Sequence, residues 1–93
     1  MRVSATAYCD RGTTKSGVPS QAGIIAADPR VLPLGTVVRI LDPNYPGSFK
    51  VMDTGSEIKG REIDIFMPSC RRAKLFGRKS MRVRIVTRVQ PPR

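Results

Sequence analysis

The chain contains no histidine and no tryptophan. Without histidine, a catalytic triad built on imidazole is excluded. There are only two cysteines, Cys9 and Cys70, and no Cys-x-x-Cys pair, so a structural zinc site is not expected either. Phe, Trp and Tyr together make up 5% of the residues. The core must therefore rest on Val, Ile, Leu and Ala, and the interleaved aromatics that stack on nucleic-acid bases are missing. Apolar runs are only a few residues long, too short for a membrane-spanning helix. No internal repeat and no low-complexity tract is present. Acidic residues are scarce as well, seven against 17 Lys and Arg, which leaves a net charge of +10 on 93 residues. Such a field draws in polyanions, whether nucleic acid, anionic lipid or an acidic wall polymer. The basic residues are densest from Arg71 onward (Arg71, Arg72, Lys74, Arg78, Lys79, Arg82, Arg84, Arg88 and Arg93). Solvated faces of a helix and a strand account for such a run. No helix-turn-helix or zinc-finger pattern accompanies it.

A chain of this length makes one small domain over residues 1–93. Eight Gly and eight Pro imply many turns between short elements and favour an all-β fold. Strands are predicted at Val3 to Tyr8, Gly23 to Ala27, Thr36 to Leu41, Ser48 to Met52, Glu62 to Phe66 and Met81 to Val89. The first and last carry alternation, Gly23 to Ala27 is a continuous apolar run that suits a strand buried on both sides, and Thr36 to Leu41 is the clearest strand by β-propensity. Asp10 to Gln21 and Asp42 to Gly47 read as loops, and Val31 to Gly35 as a bend. A short helix is expected over Cys70 to Phe76, with Ser69 as its cap and Gly77 as its stop. Gln90 to Arg93 reads as a frayed tail. Six short strands and one short helix suggest a small closed barrel. Cys9 and Cys70 lie near opposite ends of the chain. Joined, they would close a long loop and stabilise the fold by about 4 kcal/mol. Two free buried thiols fit the sequence equally well, and an oxidising compartment would favour the bond.

Asp53 and Asp64 stand eleven residues apart, at the ends of a strand–turn–strand unit with Gly55 and Gly60 in the turn. Such a unit can bring both carboxylates to one surface, where mutual repulsion holds a proton on one of them. Asp64, flanked by Ile63, Ile65 and Phe66, is costly to enclose without purpose. Asp28 before Pro29 and Asp53 before Thr54-Gly55 have a simpler explanation as turn formers. Tyr8 reads as core filling with its hydroxyl at the rim. Glu57, Arg61 and Glu62 read as surface residues.

An ordered series of motifs covers nearly the whole chain. It runs through Ala5-Thr6-Ala7-Tyr8, Thr14-Lys15-Ser16-Gly17, Ile25-Ala26-Ala27-Asp28-Pro29 and Pro33-Leu34-Gly35-Thr36-Val37. It continues with Asp53-Thr54-Gly55, Ile58-Lys59-Gly60 and Ile63-Asp64-Ile65-Phe66. The series resembles the three-aspartate (3D) domain, the catalytic domain of membrane-bound lytic transglycosylase A and of the stationary-phase-survival muralysins. Glu57 departs from the small residue often found there. The resemblance implies a six-stranded double-psi β-barrel with the aspartates gathered in a substrate groove. It also implies cleavage of the MurNAc-β-1,4-GlcNAc bond of peptidoglycan, with a 1,6-anhydro product. The catalytic acid/base of the family falls on Asp64, and Asp53 and Asp28 fall on supporting positions. Around them Tyr8, Thr14, Ser16 and Thr54 are expected to hydrogen-bond sugar hydroxyls and N-acetyl groups. Lys59 is expected to contact substrate or to pair with Asp53. The expected protein is a monomer of the cell envelope, periplasmic or secreted, with the leader absent from this chain. Its partners would be peptidoglycan strands and anionic wall polymers, with no cofactor, no metal and no specific nucleic acid. A non-catalytic wall-polysaccharide binder is the main alternative, because fold does not fix function. A nucleic-acid-binding domain is a weaker one.

Overall fold

The computed structural model describes residues 1–9, 23–55 and 57–87. Six strands and one helix follow in chain order: β1 (Arg2–Tyr8), β2 (Ile24–Ala27), β3 (Val37–Ile40), β4 (Ser48–Asp53), β5 (Glu62–Phe66), α1 (Cys70–Phe76) and β6 (Lys79–Thr87). The strands close into a barrel in the order β1-β5-β2-β4-β3-β6. β1 with β5 and β2 with β4 are parallel, and the other four pairings are antiparallel. Parallel neighbours need long crossovers. Two such pairs, each between non-consecutive strands of a closed six-stranded barrel, accord with the expected double-psi β-barrel.

The period-2 pattern decides which residues fill it. Val3 and Ala5 of β1, Ile25 and Ala27 of β2, Val38 and Ile40 of β3, Val51 of β4, Ile63 and Ile65 of β5, and Met81 and Val83 of β6 form one buried cluster. Aliphatic residues thus supply nearly all of the core, as the shortage of aromatics requires. Phe76 of α1 joins the same cluster. The Ser69 hydroxyl caps α1 by accepting from the Arg72 amide at 3.2 Å.

Boundaries differ from the sequence reading where tertiary pairing overrides local pattern. β6 begins at Lys79 rather than Met81, because Ala5 and Ser4 of β1 pair with Lys79 and Ser80. β4 runs on to Asp53, which pairs with Ala26. Thr36 stops short of β3 but is fully buried, and its carbonyl accepts from the Val51 amide at 2.8 Å. The predicted loop at 10–21 and tail at 90–93 lie outside the described residues. Cys9 and Cys70 form a disulfide with a Cα–Cα distance of 5.0 Å, tying the end of β1 to the first residue of α1.

Candidate active site

Residues opposite one another in register share a face of the sheet. Ala26 of β2 is opposite Asp64 of β5 on one side and Asp53 of β4 on the other. On the far side of β5, Thr6 of β1 is opposite Asp64, and Tyr8 is opposite Phe66. The inward faces of these strands carry the core, so Thr6, Asp64, Ala26 and Asp53 form one row on the face turned away from it. The two aspartates are separated by two strand spacings, roughly 10 Å at the backbone.

Asp53 reaches this row through a β-bulge. Simple alternation from buried Val51 would turn Asp53 inward. The register shifts between Ile25 and Ala26, so Met52 is the extra residue and Asp53 comes out opposite Ala26. There the Asp53 carboxylate accepts from the Thr54 amide at 2.9 Å.

Asp64 is half-buried. Loss of hydration raises its pKa, and the negative charge of Asp53 raises it further, while a hydrogen bond from Thr6 works in the other direction. The Thr6 hydroxyl lies 3.0 Å from Asp64 Oδ1 and 3.5 Å from the Ile63 carbonyl oxygen. It can donate to an ionised Asp64. With Asp64 protonated, it can turn its proton toward the carbonyl and accept from the acid. Nothing local in the sequence marks Thr6 as a partner of Asp64, because only the parallel pairing of β1 with β5 brings them together.

Asp28 is a different kind of aspartate. It is 3% exposed, and both of its oxygens are committed. Oδ1 accepts from Arg30 Nε at 3.1 Å and from the Arg30 amide at 3.0 Å. Oδ2 accepts from Arg30 Nη2 at 3.0 Å and from the Gly60 amide at 2.8 Å. The Arg30 guanidinium, and then the backbone amides, hold this carboxyl well below the usual carboxylate range. Asp53 and Asp64 share a face, whereas Asp28 clamps the β4–β5 connection to the end of β2, and its satisfied oxygens leave no proton to exchange. Gly60 has φ of 65°, where a side chain would be strained, and that turn aims its amide at Asp28. Gly55 is fixed by crowding instead, because a Cβ there would meet Ile58 Cγ1 at 2.9 Å.

Lys59 is exposed on this connection, and its pairing with Asp53 is not among the ion pairs of the described residues, where the pair is Arg30 with Asp28. Thr54 is part-exposed beside Asp53. The Tyr8 ring meets Phe66 edge-on, with centroids 5.5 Å apart. Thr14 and Ser16 lie outside the described residues. A cavity of about 610 Å³ sits instead at the α1 end of the barrel, lined by Tyr45, Phe49, Phe66, Arg72, Phe76 and Lys79 among others, with none of the three aspartates in its wall. Among the described residues no group of His, Cys, Asp and Glu is arranged to hold a metal ion, and no helix is long and apolar enough to cross a membrane.

Residues 23–87 match the 3D domain family. The putative cell wall shaping protein YabE of Bacillus subtilis (strain 168) is 39% identical over 95 residues, which takes in 92% of this chain and 23% of that protein. The cell wall-binding protein YocH of the same organism is 37% identical, over 92% of this chain and 32% of that protein. The chain therefore spans a third or less of the length of either relative. Among solved structures, MltA from E. coli with bound chitohexaose superposes with a TM-score of 0.70 at 22% identity, covering 87% of this chain and 29% of that one. The lytic transglycosylase LtgG of Burkholderia pseudomallei gives 0.62 at 26% identity, covering 84% and 27%. At such identity the MltA likeness is one of fold, and it extends to the barrel alone. With the family matched over most of its length and these relatives beside it, the chain belongs to the 3D domain family.

Proposed function

We propose that this domain cleaves peptidoglycan as a lytic transglycosylase, with Asp64 acting first as acid and then as base. The observation that carries the reading is the half-buried Asp64 carboxyl, its pKa raised by desolvation and by Asp53 on the same face. Hydrolysis by the common routes uses two carboxylates, one of them to activate water or to attack. Here the sugar supplies its own nucleophile. Asp64 gives its proton to the O4 leaving oxygen of N-acetylglucosamine as the bond from muramoyl C1 breaks. The muramoyl C6 hydroxyl attacks C1, and its proton passes to the Asp64 carboxylate as the anhydro ring closes. No water is consumed, and the acid is restored. Thr6 holds the carboxyl in both protonation states. Asp53 keeps the proton on Asp64 at the outset, and Asp28 supports the site by anchoring the connection that carries Lys59. Tyr8, Thr14, Ser16, Thr54 and Lys59 serve as sugar contacts in this reading. The disulfide supports an oxidising compartment, and so a place in the cell envelope. The relatives named for the cell wall and the chitohexaose-bound MltA support a wall glycan as substrate.

A second reading, a wall-binding module without catalysis, is favoured by the name of the YocH protein. Incubation with purified sacculi separates the two, with soluble fragments analysed by mass. Transglycosylation releases fragments lighter by one water than hydrolytic products. Adsorption to the sacculi with no soluble fragments would establish the binder instead.

A further inference from the structure

β6 lies across the barrel from β2, and its outer face carries the opposite chemistry to the aspartate row. Arg82 is in register with Arg2 of β1, and Arg84 is in register with Arg39 of β3. Like charges directly opposite on neighbouring strands destabilise a sheet, yet two such pairs stand side by side here. Arg78 extends the group by donating to the Ser4 hydroxyl at 3.0 Å, and Arg2 donates to the Ser80 hydroxyl at 3.2 Å. All five arginines are exposed, and none has a carboxylate within salt-bridge distance among the described residues. The two serines hold guanidinium groups in place without neutralising them.

We infer that this β1–β6–β3 face binds a phosphodiester polymer of the cell envelope, one built on polyol units rather than nucleosides. Guanidinium forks match phosphate oxygens in pairs. Strand geometry spaces them about 6.6 Å along β6 and about 4.8 Å across the sheet, a close array suited to successive phosphates of one flexible chain. No aromatic residue belongs to the face, so a base would find no ring to stack on. The choice of an envelope polymer rests on the disulfide and on the cell-wall reading above. Because the face is diametrically opposite the Asp53–Asp64 row, a polymer held there leaves the glycan site open. It would tether the domain to the wall while a glycan strand is worked on the other side.

The test is binding of purified polyglycerol phosphate over a range of salt concentrations. Single-stranded DNA of equal charge and vesicles of phosphatidylglycerol form the comparison arms. Replacing Arg82 and Arg84 together by Gln is expected to weaken polymer binding at least about tenfold and to flatten the dependence of log K on log salt by about 1 to 2. Arg71→Gln with Lys74→Gln on α1 removes the same charge elsewhere and is expected to have a much smaller effect. Asp64→Asn is expected to bind the polymer like the unaltered chain, so a failure of the catalytic reading is seen separately from a failure of this one. Equal losses in the two double variants would reduce the face to net charge and overturn the proposal. So would tighter binding to the DNA or to the vesicles than to the polymer.

Discussion

A carboxyl group that must give up a proton and then recover it serves best when neither form is strongly trapped. Burial and two neighbours adjust Asp64 in this respect. Burial and Asp53 favour the protonated acid, and Thr6 favours the carboxylate. Cleavage requires the acid, so activity should fall as pH rises through the Asp64 pKa. Removing the Thr6 hydroxyl as Thr6→Val should raise that pKa and move the falling limb of kcat/KM to higher pH. Asp53→Asn removes a charge that raises it and should move the limb the other way. A pH–rate profile of each variant on a soluble glycan checks both signs, and shifts in the same direction would contradict the arrangement. Asp28 obeys the opposite linkage. Its pKa is lower in the folded chain than in the unfolded one, so its stabilising effect is present above about pH 4 and is lost as the pH falls below that. Asp28→Asn should lower the melting temperature by several degrees at neutral pH and much less at pH 2. Thermal unfolding at the two pH values measures the difference, and an equal loss at both would show that the clamp is not ionic.

The disulfide acts on elements rather than on single residues. It joins the end of β1 to α1 across 61 positions of sequence. Cys9→Ser with Cys70→Ser should cost about 4 kcal/mol of unfolding free energy, because the cross-link restricts the unfolded chain. Urea denaturation reads this, and a loss under about 1 kcal/mol would assign the bond a minor part. Most elements are legible in the sequence because they rest on local signals. The β-branched run after Thr36 marks β3, and Ser69 with Gly77 brackets α1. The apolar Ile24–Ala27 run marks a strand buried on both sides, and all four residues are buried. What escapes depends on pairing between distant segments. The bulge at Met52 has no composition of its own, so nothing local foretells that Asp53 turns outward. Thr6 acquires its role from a partner 58 residues away. The face shared by Asp53 and Asp64 is implied by the strand–turn–strand unit, whereas the separate duty of Asp28 is not.

At the scale of the whole molecule, the net charge of +10 is spread unevenly. The acidic row spans β5, β2 and β4, and the arginines of β1, β6 and β3 occupy the opposite side. Long-range attraction brings such a body to an anionic wall and weakens as salt screens it. Raising salt should therefore reduce adsorption to sacculi more than it slows cleavage of a short soluble glycan. Pelleting and rate assays over the same salt series compare the two, and equal sensitivity would contradict a role for the charge in reaching substrate. The proton on Asp64 is tested most directly by the release of anhydro-muropeptides from sacculi by the unaltered domain and by Asp64→Asn. The expected result is release by the former alone, with both melting alike at neutral pH. Equal release by the Asn variant would contradict it.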